Sequence, residues 1–87
     1  MEYKIEYLAE VEKELSKFPK KHVGQILRKI DTLHYYQTMV GIKQLKGSPE
    51  FFLYRIRSGD YRIIFTVEEN RVVIVRIAHR REAYRKL

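Results

Sequence analysis

Hydrophobic residues follow two different spacings in the N-terminal part of the chain. In residues 2–7 they alternate with charged residues, and this period of two predicts a short strand. In residues 8–18 and again in residues 20–36 they recur every three or four positions, which predicts two amphipathic helices. Pro19 lies between the two stretches and is expected to end the first helix. The short spacing favours an antiparallel helical hairpin.

The C-terminal part of the chain has the pattern of an antiparallel sheet. Three strands are predicted over residues 51–57, 61–67 and 72–78. Ser58 and Gly59 form a candidate two-residue turn, because glycine accepts a positive φ, and residues 69–71 form a candidate three-residue turn. These features predict two consecutive hairpins.

The order of elements predicts an α+β fold formed by a single domain over residues 1–87. We expect β-α-α-β-β-β, with the helical hairpin packed on one face of a mainly antiparallel four-stranded sheet. Residues 37–50 contain two glycines and a proline and are expected to form a loop. Residues 80–87 form either a short helix or an irregular end.

The turn at Ser58 and Gly59 would place Arg55 directly opposite Arg62. Both arginines then lie on the sheet face that the helices leave open, and like charges at such a position destabilise the pair unless an anion neutralises them. If the second turn has three residues, Val72 and Ile74 also lie on this open face and form an apolar patch there with Leu53 and Ile64. The patch is either a partner surface or is covered by the loop or the C-terminal tail.

Charge is distributed unevenly along the chain. The formal net charge is +7, residues 41–87 carry +6 of it, and eight of the nine arginines lie between Arg55 and Arg85. A guanidinium group binds phosphate oxygens bidentately, so an arginine-rich half favours a phosphate-bearing partner over a merely solubilising surface. The sequence contains no cysteine and no apolar run long enough for a membrane span. We therefore expect a cytoplasmic protein.

Three segments, Leu45–Gly47, Leu53–Phe65 and Arg76–Arg85, resemble the RelE family of toxins from type II toxin–antitoxin modules, within the RelE/ParE superfamily. The resemblance implies a ribosome-dependent mRNA endonuclease that acts in the ribosomal A site. It further implies that the 2′-hydroxyl of the mRNA attacks the neighbouring phosphate, without a metal or other cofactor. The implied partner besides ribosome and mRNA is an acidic RelB-like antitoxin, through which alone the toxin would contact DNA; no membrane is involved.

The resemblance also implies roles for individual residues. Arg62 would lie at the scissile phosphate, and Arg80 would serve the phosphate or the leaving group. Tyr84 would stack on a base, and Arg55 is the basic residue of the preceding strand. His79 is a second candidate for proton transfer, because histidine exchanges protons readily near neutral pH.

Further residues are expected to bind RNA, the ribosome or the antitoxin. Those expected to bind RNA or the ribosome are Lys46, Arg57, Arg76, Arg81, Arg85, Lys20 and Lys21. The apolar patch of Leu53, Ile64, Val72 and Ile74 is expected to bind the antitoxin. Leu53 also marks a departure, since the best-known family members have a basic residue there.

Two other functions are compatible with the sequence. ParE-type toxins share the fold and poison DNA gyrase without nuclease activity. The second alternative is a noncatalytic RNA-binding module, which only the positive charge of the chain supports. The combination of Arg62, Arg80 and Tyr84 favours the RelE-type nuclease.

Overall fold

The computed structural model describes residues 2–38, 41–48 and 51–83. Its helices are α1 (Ala9–Ser16) and α2 (Lys20–Asp31), the second continued by a 3₁₀ helix (Thr32–Thr38). Its strands are β1 (Lys4–Tyr7), β2 (Lys43–Ser48), β3 (Phe51–Ser58), β4 (Tyr61–Glu68) and β5 (Arg71–His79). None of the described helices is long and apolar enough to cross a membrane.

The strands form one sheet in the order β1-β5-β4-β3-β2. The β1–β5 pair is parallel and the other three pairs are antiparallel, so the predicted α+β fold with a mainly antiparallel sheet is confirmed. The sheet has five strands rather than four, because β2 lies within residues 37–50, where a loop was predicted. Leu45 is the only hydrophobic residue of β2, so the strand lacks the alternation that would reveal it.

The helices cover one face of the sheet and form the main core with it. Val11 of α1 and Ile26 and Ile30 of α2 are fully buried there against strand residues. Their spacing is that of the predicted helical stripes, and it places one side of each helix on the sheet. The buried members of this core are Val11, Ile26, Ile30, Leu33, Ile56, Ile63, Phe65, Val72, Ile74 and Ile77.

The β3–β4 hairpin turns one residue later than predicted. Gly59 has a φ of +58° and occupies the first position of a Gly59–Asp60 turn, where a type II′ turn requires glycine. Ser58 therefore pairs with Tyr61, and the predicted pairing of the two strands is shifted by two residues. Because side chains alternate with a period of two, the shift nevertheless leaves Leu53, Arg55, Arg57, Arg62 and Ile64 on the predicted open face.

The β4–β5 hairpin departs from the prediction more seriously. Its turn has two residues rather than three, with Glu69 at a φ of +52°. The pairing then shifts between Ile64 and Phe65, so that Val75 is the extra residue of a β-bulge. The bulge turns Val72 and Ile74 toward the helices, where both are fully buried in the main core. Their predicted place on the open face is wrong.

A second, smaller cluster lies on the open face. Ile64 is fully buried there with Ala78 and Ala83, and Leu53 packs against them while remaining partly exposed. Ala83 belongs to the turn that follows β5, so the beginning of the C-terminal segment covers part of the predicted apolar patch. Of the four residues predicted to form that patch, only Leu53 is on the open face and still partly accessible.

Candidate nucleic-acid interface

An open groove with a volume of about 570 Å³ lies on the open face, next to the small cluster. Of the seven described residues that line it, six are cationic and none is acidic. The lining residues are Lys43, Leu45, Arg55, Arg57, Arg62, Arg80 and Arg81. We call this the arginine groove; its charge and its open shape suit a polyanion.

Two pairs of like charges face each other across strands in the arginine groove. Lys43 of β2 pairs with Arg55 of β3, and Arg57 of β3 pairs with Arg62 of β4. The predicted pair of Arg55 and Arg62 is therefore wrong in register, since Arg55 pairs with Ile64. Each like-charged pair costs stability in the free protein, and a bound anion would remove that cost.

The β3–β4 turn holds the side chain of Arg62. Its Nη1 donates hydrogen bonds to the carbonyl oxygens of Gly59 and Tyr61, both at 3.2 Å. The guanidinium group has five N–H donors in a planar fork, so these two bonds leave others for a ligand. The turn therefore orients the cation at one end of the groove.

The turn after β5 brings two further arginines to the same place. The backbone N–H of Arg80 donates to the carbonyl oxygen of Asp60 at 2.7 Å, and the backbone N–H of Arg81 donates to Nδ1 of His79 at 3.3 Å. Ala83 anchors the end of the turn in the small cluster. The arginine groove thus brings Arg62, Arg80 and Arg81 together at one end of the sheet.

Arg76 is held away from the arginine groove. Its Nη2 donates to the carbonyl oxygen of Glu82 at 3.1 Å, and its Nε lies 3.9 Å from a carboxylate oxygen of Glu14. The other carboxylate oxygen of Glu14 accepts the backbone N–H of Ile77 at 2.9 Å. Arg76 thus connects α1, β5 and the C-terminal turn, and it is not among the groove-lining residues.

His79 lies on the opposite face from the arginine groove. It pairs with Tyr61 across β4 and β5, and the two rings meet edge to face with centroids 5.8 Å apart. Tyr61 in turn packs against Phe18 and His22 beneath the helices. The link of His79 to the groove is its hydrogen bond with Arg81.

The other predicted site residues lie outside the groove or outside the described residues. Lys20 and Lys21 are exposed on the first turn of α2 and do not line the groove. Lys46 belongs to β2, but its side chain is not among those described, and neither Tyr84 nor Arg85 is described.

Two groove residues were missed from the sequence. Lys43 and Leu45 come from β2, which was predicted as a loop, so neither could be assigned to a face. Within the described residues, no three histidine, aspartate or glutamate side chains lie close enough together to hold a metal ion.

Known proteins resemble this chain over nearly all its length. A family model described as the ParE toxin of the type II toxin–antitoxin system parDE matches residues 5–84. A curated protein of Methanocaldococcus jannaschii that carries the toxin name RelE1 is 33% identical over 86 residues, which cover 94% of this chain and 93% of that protein.

Solved structures share the fold. The RelE–RelB complex of Pyrococcus horikoshii OT3 contains a chain that is 31% identical, with a TM-score of 0.78 over 95% of this chain and 100% of that one. A chain of the toxin–antitoxin complex RelBE2 from Mycobacterium tuberculosis shares the fold at 20% identity, with a TM-score of 0.76 over 91% and 99% of the two chains. With the family match and the curated relative, these similarities show that the chain belongs to the RelE/ParE family and is a RelE-type toxin of a type II toxin–antitoxin module.

Proposed function

We propose that this toxin is a ribosome-dependent mRNA endonuclease and that the arginine groove holds the scissile phosphate. The observation that carries the proposal is the groove itself, whose described lining contains six cationic side chains and no acidic one. RNA supplies the phosphates that such a surface requires, and arginine recognises them by charge and by geometry.

The proposed reaction is an internal displacement within the RNA. The 2′-oxygen forms a bond to the adjacent phosphorus while the bond from phosphorus to the 5′-oxygen breaks. The products are a 2′,3′-cyclic phosphate and a free 5′-hydroxyl, and in net terms the proton of the 2′-hydroxyl ends on the departing 5′-oxygen. Negative charge increases on the phosphorane oxygens in the transition state, so preorganised cations accelerate the step.

Arg62 is the best-placed donor for that charge. Two hydrogen bonds to the β3–β4 turn fix its orientation. Arg80 is tethered to the same turn through Asp60, so the two guanidinium groups approach a phosphate from neighbouring elements. Arg55 and Arg57 would neutralise adjacent phosphates along the strand.

The side chains that line the arginine groove explain charge stabilisation better than they explain proton transfer. Guanidinium groups stay protonated at neutral pH, so the arginines stabilise charge rather than accept the proton of the 2′-hydroxyl. His79 faces Tyr61 on the other side of the sheet, and we assign it to holding the Arg80–Arg81 turn through its bond with Arg81. Tyr84 keeps its proposed role of stacking on a base, which is typical of single-stranded RNA recognition.

In cells whose growth the toxin does not arrest, the proposed partner is a RelB-like antitoxin. The solved relatives from Pyrococcus horikoshii and Mycobacterium tuberculosis are toxin–antitoxin complexes. An acidic segment bound along the arginine groove would neutralise the like-charged pairs and exclude mRNA at the same time.

The test is cleavage of mRNA on purified ribosomes, with the new 5′ ends mapped before and after treatment with polynucleotide kinase. The unaltered toxin should give 5′-hydroxyl ends, which become ligatable only after phosphorylation. Arg62→Ala should lower the single-turnover rate by about 10²–10³, the usual effect of removing one preorganised donor. Arg62→Lys should recover only part of the rate, since lysine keeps the charge but not the planar fork.

Arg71→Ala is the matched control, because Arg71 lies at the far end of β4 and β5 and pairs with Glu6 and Glu68. Parental cleavage by Arg62→Ala would remove the proposed role of that residue. Intact mRNA together with inhibited DNA gyrase would instead assign to this toxin the gyrase poisoning of ParE-type toxins. RNA binding without cleavage or gyrase inhibition would leave a noncatalytic RNA-binding module.

A further inference from the structure

A second groove, with a volume of about 390 Å³, adjoins the arginine groove at the sheet edge. Three residues line both grooves, namely Lys43, Arg55 and Arg57. The second groove adds Lys29 near the C-terminal end of α2, together with Gly41, Ile42 and Ile56. The basic surface therefore continues from the open face around the edge of the sheet to the helix side.

The strand lengths explain why the edge is open here. β2 begins at Lys43, opposite Arg55, whereas β3 continues to Ser58. Within the described part of the chain, the last residues of β3 thus have no strand on their outer side. Gly41, just before β2, has a φ of +88°, and apart from its chain neighbours no described residue has an atom within 4 Å of where a Cβ would lie, so the described residues leave this side of its backbone open.

The lining chemistry favours phosphates over a folded protein segment. Of the seven described residues that line the second groove, four are cationic and none is acidic. Ile56 is 1% exposed and Ile42 is only partly exposed, so the second groove lacks the prominent apolar anchor that an amphipathic helix needs. Counterion release gives a flexible polyanion affinity for such a surface without any apolar contact.

We propose that single-stranded RNA leaves the arginine groove at Arg57, crosses the sheet edge over Lys43 and Arg55, and places a phosphate at Lys29. This inference rests on the proposed function, because it extends the path of the same RNA. It assigns Lys29, on a helix that sequence reasoning treated as a core element, to the RNA-binding surface.

Arg28 provides a matched control for Lys29. Both are basic residues in the last turn of α2, so each contributes similarly to the helix dipole. Arg28 is exposed and does not line either groove. Loss of either charge changes the net charge of the protein equally, and only loss of Lys29 removes a groove contact.

The experiment measures binding of the full chain to a single-stranded 2′-O-methyl oligoribonucleotide over a range of salt concentrations. This RNA lacks the 2′-hydroxyl and stays intact, so the measurement does not depend on cleavage. Lys29→Ala should weaken binding several-fold at low salt and reduce the slope of log K against log salt by about 0.7, the value for one phosphate contact on a single strand. Arg28→Ala should leave the slope unchanged.

Equal slopes for the two variants, whether both reduced or both parental, would overturn the proposal. Weakened binding of an acidic antitoxin by Lys29→Ala, with parental RNA binding, would overturn it too and assign the second groove to a protein partner. Failure of the proposed function is distinguishable, since it appears as absent mRNA cleavage and leaves the binding comparison between the two variants intact.

Discussion

Ile64 and Phe65 are neighbours on β4, yet they belong to clusters of very different size. Phe65 points toward the helices into a core of ten buried residues, whereas Ile64 points to the open face into a cluster of three. Hydrophobic stabilisation scales with the apolar area removed from water, so the helix-covered face supplies most of it. The open face is free to carry like charges because it contributes less to folding.

The comparison explains how a small domain tolerates its arginine groove. The two like-charged cross-strand pairs, Lys43 with Arg55 and Arg57 with Arg62, destabilise the sheet by no more than the about 0.2–1 kcal/mol that a favourable cross-strand pair contributes, since their side chains are at least partly exposed. A domain of this length has a total stability of about 4–13 kcal/mol. The cost is therefore small enough to be offset by the main core, and it falls on the surface that an anion would occupy.

Phe65→Ala should have the largest effect on stability. Phe65 is fully buried and its ring stacks on Tyr54 with centroids 5.6 Å apart. Truncation of a buried phenylalanine costs about 3–5 kcal/mol, through lost burial and the cavity left behind. Denaturant unfolding measures the change, and Phe65→Leu serves as a milder variant if the alanine protein fails to fold. Stability within 1 kcal/mol of the parent for both variants would contradict the placement of the main core.

Ile64→Ala should cost less, near the lower limit of about 2 kcal/mol for such truncations. Ile64 lies in a small cluster with Ala78 and with Ala83 of the C-terminal turn, so its truncation removes fewer buried contacts than a truncation in the main core. Because this turn also carries Arg80 and Arg81, cleavage should fall along with stability. A charged substitution such as Ile64→Asp should prevent folding, since it would bury a carboxylate without a partner. A greater loss of stability for Ile64→Ala than for Phe65→Ala would reverse the order of the two clusters.

The two hairpins show what the sequence could predict about the fold. The predicted β3–β4 turn lies one residue before the observed one, and because this shifts the pairing by two residues, Arg55, Arg57 and Arg62 lie on the predicted face. The bulge at Val75 shifts the alternation by a single residue, which moved Val72 and Ile74 into the core. Valine and isoleucine fit either face of the strand next to a bulge, so the order of residue types in β5 does not reveal the bulge.

The site was predictable where charge and turn chemistry agreed. Arg62 follows the predicted β3–β4 turn, Arg80 and Arg81 lie in the arginine-rich C-terminal part that the family resemblance covers, and the structure brings all three together in one groove. Lys43 and Lys29 could not be found, because one comes from a strand without alternation and the other from a helix whose charged face looks like any solvated face. Lys43 and Lys29 line a groove because β2 begins at Lys43 and leaves the end of β3 uncovered at the sheet edge.

Arg57→Glu should have the smallest effect on stability and the opposite sign from the core substitutions. Arg57 is exposed and faces Arg62 across the strands, so a glutamate there would replace repulsion by attraction. The free energy of unfolding should rise by a few tenths of a kcal/mol, which corresponds to about 1–3 °C in Tm for a domain of this size. RNA binding should weaken at the same time, because a carboxylate would enter the arginine groove.

Arg57→Gln, which removes only the repulsion, should give a smaller gain in stability than Arg57→Glu. The gain should also shrink between 0.1 M and 1 M salt, where the Debye length falls from about 10 Å to about 3 Å. Thermal unfolding at the two salt concentrations measures both effects. A loss of stability in Arg57→Glu, or a gain that does not respond to salt, would show that repulsion between like charges on the open face does not lower the free energy of unfolding. The contrast between the helix-covered face and the open face would then need another explanation.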